Sequence, residues 1–195
     1  IMFENVLASP TLSGFTRNRV HTDKANNQRP VEYPDGWECV AWPQNPDDPD
    51  EVPASFHRDQ GYGLAAGYMK WEGGYVQRGV TLHGGQRYLA KATFKVNMGL
   101  VDQSNPPDWQ QHIQWRFLFN DQGHQVESAW MTATKPFGQT EECLFVVEAV
   151  KNVTLDFGLI FRSIYASTAG EIHVLSIELQ TVPTDYGEPV MVGNP

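Results

Sequence analysis

The feature that most constrains this chain is a run of two-residue periodicity from Gln86 to Met98, QRYLAKATFKVNM. Tyr88, Ala90, Ala92, Phe94 and Val96 fall on one side of it, with Lys91, Thr93 and Lys95 on the other. Alternation of that period sends successive side chains to opposite faces, so the segment is a strand with one buried and one wet face. The pattern recurs from His112, where Ile113, Trp115, Phe117 and Phe119 share one face and Gln114, Arg116 and Leu118 the other. Asn120-Asp121-Gln122-Gly123 is then a turn signal, after which His124 to Ala133 returns as the second strand of a hairpin. Further strands fit Trp37 to Trp42, Gly63 to Lys70, Gly74 to Leu82, Cys143 to Val150, Val153 to Arg162 and Ile172 to Val182. Helical periodicity is scarce. Many short strands at this spacing predict an all-β fold, an antiparallel two-sheet β-sandwich of jelly-roll type.

The 195 residues favour one domain, placed at residues 1–182. Residues 183–195 lose alternation and carry three prolines, which reads as a tail or linker. The stretch from Pro43 to Pro53, PQNPDDPDEVP, reads as an exposed loop, and Asn97 to Asp108 as another. Aromatic residues at 12% with charged residues at only 19% exclude a disordered body. A net charge of -9 disfavours nucleic acid, whose binding draws on clustered Lys and Arg. No apolar run is long enough to span a bilayer, so no membrane partner is expected and the chain reads as soluble. Ile1 precedes Met2, so the start of the chain says nothing about compartment.

Motifs for known chemistry are sparse. Gly61-Tyr-Gly-Leu-Ala-Ala66 fits GxGxxA in form, but Gly67, Gly73 and Gly74 defeat the helix that a dinucleotide site needs. Cys39 and Cys143 lack CxxC spacing, so no metal site is expected of them, and one disulfide or two buried thiols both stay open. The six histidines are scattered and read as surface or edge residues, although His112 and His124 could meet across the hairpin. Asp47, Asp48, Asp50 and Glu51 lack the ligand spacing of a calcium loop. Glu72, Asp102, Glu127 and Asp156 are carboxylates of the kind a glycosidase would pair across a cleft, yet no catalytic constellation is readable.

What the chemistry-bearing residues do offer is aromatics beside planar hydrogen-bonding groups. Sugar rings present apolar C–H faces and hydroxyl edges, so a sugar site needs flat platforms flanked by Arg, Gln, Asn or Asp. Trp42, Trp71 and Trp109 fall at strand ends or in loops, where core packing does not require them. Trp115 belongs with Phe117 in the core, Trp37 reads as structural, and Trp130 shares parity with Val126 and Ser128 without its side being fixed. Gln114 and Arg116 lie on the polar face of one strand, and Asp156 and Arg162 on the polar face of another. If those strands are neighbours, the four groups share a face, although Arg and Asp could there simply pair with each other. A solvated outer face is the competing reading.

The order of landmarks resembles the jelly-roll carbohydrate-binding modules of families 4, 16 and 22, which are galactose-binding-domain-like. It runs through Phe3-Glu4-Asn5-Val6-Leu7, Gly36-Trp37, Gly61-Tyr62-Gly63-Leu64, the strand Gly74 to Leu82, and Gly85-Gln86-Arg87-Tyr88 with its alternating continuation. The resemblance spans about residues 3–182 and is most specific over 74–96. It implies a structural calcium near Glu4, but Leu175 stands where such modules often place an Asp, which leaves one carboxylate and backbone carbonyls to hold the ion.

The expected function is a non-catalytic glycan-binding domain, accessory to a larger protein. A concave sheet face would supply Gln114, Arg116, Asp156 and Arg162 as hydrogen-bonding groups, with Trp71, Trp109 and Trp130 as platforms. Its partner would be a polysaccharide or oligosaccharide, with a protein partner or neighbouring catalytic domain also open, and glycan binding would favour an extracellular or cell-surface setting. The alternative is an assembly domain that buries its exposed aromatics in a protein interface. A polysaccharide-degrading enzyme ranks third.

Overall fold

The computed structural model describes residues 3–15, 17–22, 28–42, 54–57, 62–66, 72–100, 112–136, 138–163 and 168–193, and every named element among them is a strand. The protein is an all-β sandwich of jelly-roll type, with two large sheets and a separate hairpin. The hairpin joins β1 (Arg17–Thr22) to β2 (Gln28–Tyr33). The first large sheet contains β3 (Glu38–Trp42), β6 (Glu72–Leu82), β8 (Ile113–Asp121), β9 (His124–Glu127), β10 (Met131–Thr132) and β12 (Val153–Ser163). Its order is β10-β8-β12-β6-β3, with β9 also paired to β8. The second contains β4 (Ala54–His57), β5 (Tyr62–Ala66), β7 (Arg87–Leu100), β11 (Thr140–Ala149), β13 (Thr168–Val182) and β14 (Val190–Val192), in the order β14-β11-β7-β13-β5-β4.

The inward residues that alternation assigned to β7, β8 and β12 form the core. Tyr88, Phe94, Phe117, Phe157 and Phe161 are fully buried. Phe94 of one sheet meets Trp115 and Phe161 of the other edge-to-face, with centroids 4.7 and 5.0 Å apart. Such geometry sets the positive ring edge against the negative face and adds specificity to the area buried. Cys39 and Cys143 form no disulfide, and burial pushes the Cys143 thiol far above its usual range.

Residues 3–12 lace the two sheets together. On the second sheet, Val6 N donates to Leu179 O, Thr181 N to Glu4 O and Ile177 N to Pro10 O. On the first, the buried Gln77 amide accepts from Ala8 N at 2.8 Å and donates to Ala8 O at 2.9 Å, while Trp37 Nε1 donates to Ser9 O. Glu4 is exposed, and among the described residues no group of three or more His, Cys, Asp or Glu side chains is placed to hold a metal ion.

Three differences from the sequence reading have local causes. The β1–β2 hairpin carries no strand signal in the sequence because Pro30 sits inside its second strand, a residue that withholds a ladder donor and belongs on edges. The return strand of the β8 hairpin is split into β9 and β10. The segment read as a tail carries β14, which runs parallel to β11, and buried Val192 with the Arg87 guanidinium on the carbonyls of Tyr186 and Gly187 docks it. Three residues are too few for a period to register.

Gln77→Ala should therefore cost about 1–3 kcal/mol, because it leaves both polar groups of Ala8 without their partner. Urea unfolding measures this. A loss below about 0.5 kcal/mol, the scale of an ordinary surface change, would contradict the lacing role.

Candidate functional site

β8 and β12 are antiparallel neighbours with Gln114 opposite Arg162 and Arg116 opposite Ile160. Gln114, Arg116, Asp156 and Arg162 therefore lie on one outer face of the first sheet. The row through Gln114 continues to Thr132 on β10 and through Arg162 to Glu72 on β6.

Trp130 reaches this face through a break in register. Leu118 faces Glu127 and Phe117 exchanges backbone and hydroxyl bonds with Ser128, but Trp115 then faces Met131 rather than Trp130. One extra residue has entered the strand, so Ala129 and Trp130 together oppose Arg116, which is the arrangement of a β-bulge. In unbroken register Trp130 would stand opposite inward-facing Trp115. The bulge instead turns its ring outward, where the Arg116 and Arg162 guanidinium carbons lie 4.1 and 3.8 Å from its centroid. Bulge chemistry of this kind carries no glycine or proline, so parity alone left the side of Trp130 open.

The two arginines are held differently. Arg162 donates from Nε and Nη2 to Gln114 Oε1 at 2.9 and 2.6 Å, and no described carboxylate is ion-paired with it. Burial lowers its pKa from the usual arginine value, the Glu72 charge opposes that shift, and the nearby Arg116 charge adds to it. Arg116 pairs through Nη1 with Glu127, which also accepts from Gln125, and its Nε is buried with no hydrogen-bond partner. Gln114, Arg116, Trp130 and Arg162 are all half-buried.

Asp156 belongs to a different arrangement on the same face. Between Leu155 opposite Val80 and Phe157 opposite Gln77, the two residues Arg78 and Gly79 oppose Asp156 alone. Asp156 closes this second bulge by accepting from Gly79 N at 3.3 Å and Arg78 Nη1 at 2.8 Å, and Arg78 Nε also pairs with Glu38. The two ion pairs raise the Arg78 pKa, the Glu38 bond contributing most. Gly79 has φ +70°, where an L side chain would be strained. Asp156 is thus tied to Arg78 rather than to Arg116 or Arg162. Between the two groups the face is closed, since Val76 and Ile160 are buried.

Trp71 and Trp109 lie outside the described residues, as do the side chain of Trp42 and the acidic loop 43–53. His112 and His124 do not meet: one precedes β8 and the other pairs with Asp121 at its far end. Asp121 and His124 instead line a half-open cavity of about 220 Å³ at the hairpin end, with Phe119, Val126, Leu155 and Val192. No alternation could have brought Val192 to that rim.

No family model and no curated protein sequence matches this chain. Solved structures do. A cyclase from Fischerella sp. TAU aligns over 93% of this chain and 98% of its own at 11% identity and a TM-score of 0.51. The arabinose-bound α-L-arabinofuranosidase MgGH51 aligns over 91% of this chain at 10% identity and a TM-score of 0.50, and the chain spans 26% of that enzyme's length. The CBM22-1 xylan-binding domain of Paenibacillus barcinonensis Xyn10C aligns over 92% and 96% at 12% identity, with a TM-score of 0.48. The cyclase and the aligned part of the arabinofuranosidase share the fold of this chain. At these identities the likeness extends to the fold alone.

Trp130→Ala should cost about 1–3 kcal/mol, since two partly desolvated cation–π contacts go with the ring. In a double-mutant cycle with Arg162→Gln the losses should fall short of additive. Strict additivity would mean that ring and guanidinium do not stabilise each other.

Proposed function

We propose that this protein is a non-catalytic glycan-binding domain whose ligand contacts the β8–β10 margin of the first sheet's outer face. The supporting observation is the convergence of Gln114, Arg116, Arg162 and Trp130 there, brought about by the Ala129–Trp130 bulge. A guanidinium carries five donors in a fixed plane and suits the paired hydroxyls of a sugar ring. Arg162 spends two of its N–H groups on Gln114, and the Gln114 amide nitrogen keeps its donors for a ligand.

The ring of Trp130 is engaged by both arginines, so its role in this reading is to hold the guanidiniums in position as well as to offer an edge or face to the sugar. Trp71 and Trp109 are proposed as further stacking platforms. Asp156 is proposed to act on the ligand only through the Arg78 pair it fixes. The fold leaves catalysis undecided, because a cyclase and a part of a glycosidase have folds of this kind.

A second reading, an assembly domain, is favoured by a different observation. Leu144, Val150, Val190 and Met191 are exposed around β11 and its edge partner β14. An apolar edge strand is a template for association.

A glycan array followed by affinity-gel electrophoresis separates the two. The expected result is retention of wild-type monomer on at least one polysaccharide and a drop of tenfold or more on Arg116→Ala, consistent with removal of a charged hydrogen-bonding group. Retention unchanged by Arg116→Ala would refute the site. Absence of any glycan ligand, with a stable oligomer in light scattering, would favour assembly.

A further inference from the structure

Two half-buried guanidiniums share one indole ring, yet only one of them has an ion-pair partner among the described residues. Arg116 takes Glu127. Among the described residues Arg162 is bonded only to a neutral amide oxygen, and Glu72, though opposite it in the strand ladder, forms no ion pair with it. Withdrawing a cation from water with no carboxylate in direct contact is costly, and the cost is relieved by whatever anion arrives. The Arg116 Nε at the same spot is buried and has no hydrogen-bond partner among the described residues.

Resting on the glycan-binding reading, we infer that this cluster recognises an acidic sugar, with Arg162 as the primary contact for a carboxylate or sulfate substituent and Arg116 as its support. Planar guanidinium matches the geometry of either oxyanion through two parallel N–H···O bonds. The Gln114 bond and the Trp130 ring fix the Arg162 plane in advance, which lowers the entropy lost on binding. On the outer face of the second sheet Lys91 pairs with Glu142, Arg87 with Glu148, and His173 with Glu171.

Long-range attraction cannot imitate this. The chain carries a net charge of -9, so a polyanion is repelled except at a local cationic site, and added salt screens the repulsion as well as the contact.

The test compares acidic and neutral partners of the same backbone. A glycan array carrying uronate-bearing, sialylated, sulfated and neutral glycans gives the first readout. Affinity gels with polygalacturonate against its methyl ester, and with carrageenan against its desulfated form, give the second and distinguish carboxylate from sulfate. Wild-type protein should prefer the acidic member of a pair by roughly tenfold or more, the scale of one charge-assisted contact. Arg162→Gln should abolish the preference, and Arg162→Lys, which keeps the charge without the fork, should retain part of it. Exclusive binding of neutral glycans, or a preference that survives Arg162→Gln, would overturn the inference while the glycan-binding reading stands. If no glycan of any charge is retained, both fall.

Discussion

Everything on the outer faces of this protein is positioned by ring packing between its two sheets. Phe94 from β7 stands edge-on to Trp115 and Phe161, and Phe117 stacks on Phe157 at 5.8 Å between centroids. Because side chains alternate along a strand, fixing Trp115 and Phe117 inward fixes Gln114 and Arg116 outward. Fixing Phe161 inward does the same for Arg162. A slip of one residue in either strand would exchange the aromatic and polar sets, and the lost burial of several large rings makes that slip prohibitive.

Two bulges then modify what strict alternation would give. At Asp156 a carboxylate fills the extra space opposite Arg78 and Gly79, so the irregularity is satisfied within the sheet. At Ala129–Trp130 the irregularity moves a large ring from the side of the core to the side of the arginines, and two guanidiniums close over it. The first bulge is self-contained. The second leaves cationic donors partly desolvated at a sheet margin, which is what a binding site for an oxygen-rich ligand requires.

How much of this was legible in the sequence follows from the physics of each element. β7, β8 and β12 have long alternating runs, so their faces could be read directly, and with them the placing of Gln114, Arg116 and Arg162 on one sheet face once β8 and β12 prove to be neighbours. β14 is three residues long and β2 contains a proline, so neither carries a period. The side of Trp130 was unreadable because the bulge depends on the partner strand, not on any residue of its own. Asp156 looked equivalent to Arg162 by parity, yet its partner Arg78 is fixed by a register shift in β6 that no single-strand pattern encodes. Whether Cys39 and Cys143 pair in a disulfide is likewise a matter of which sheet each strand joins.

The most direct measurement is nuclear magnetic resonance of the Arg Nε–H and Trp indole N–H groups during titration with an oligosaccharide selected on the array. The Arg116, Arg162 and Trp130 signals should shift together and saturably, while the backbone amides of Asp121, His124 and Val126 at the hairpin-end cavity stay in place. Shifts confined to that cavity, with the arginine signals unmoved, would contradict the arginine site.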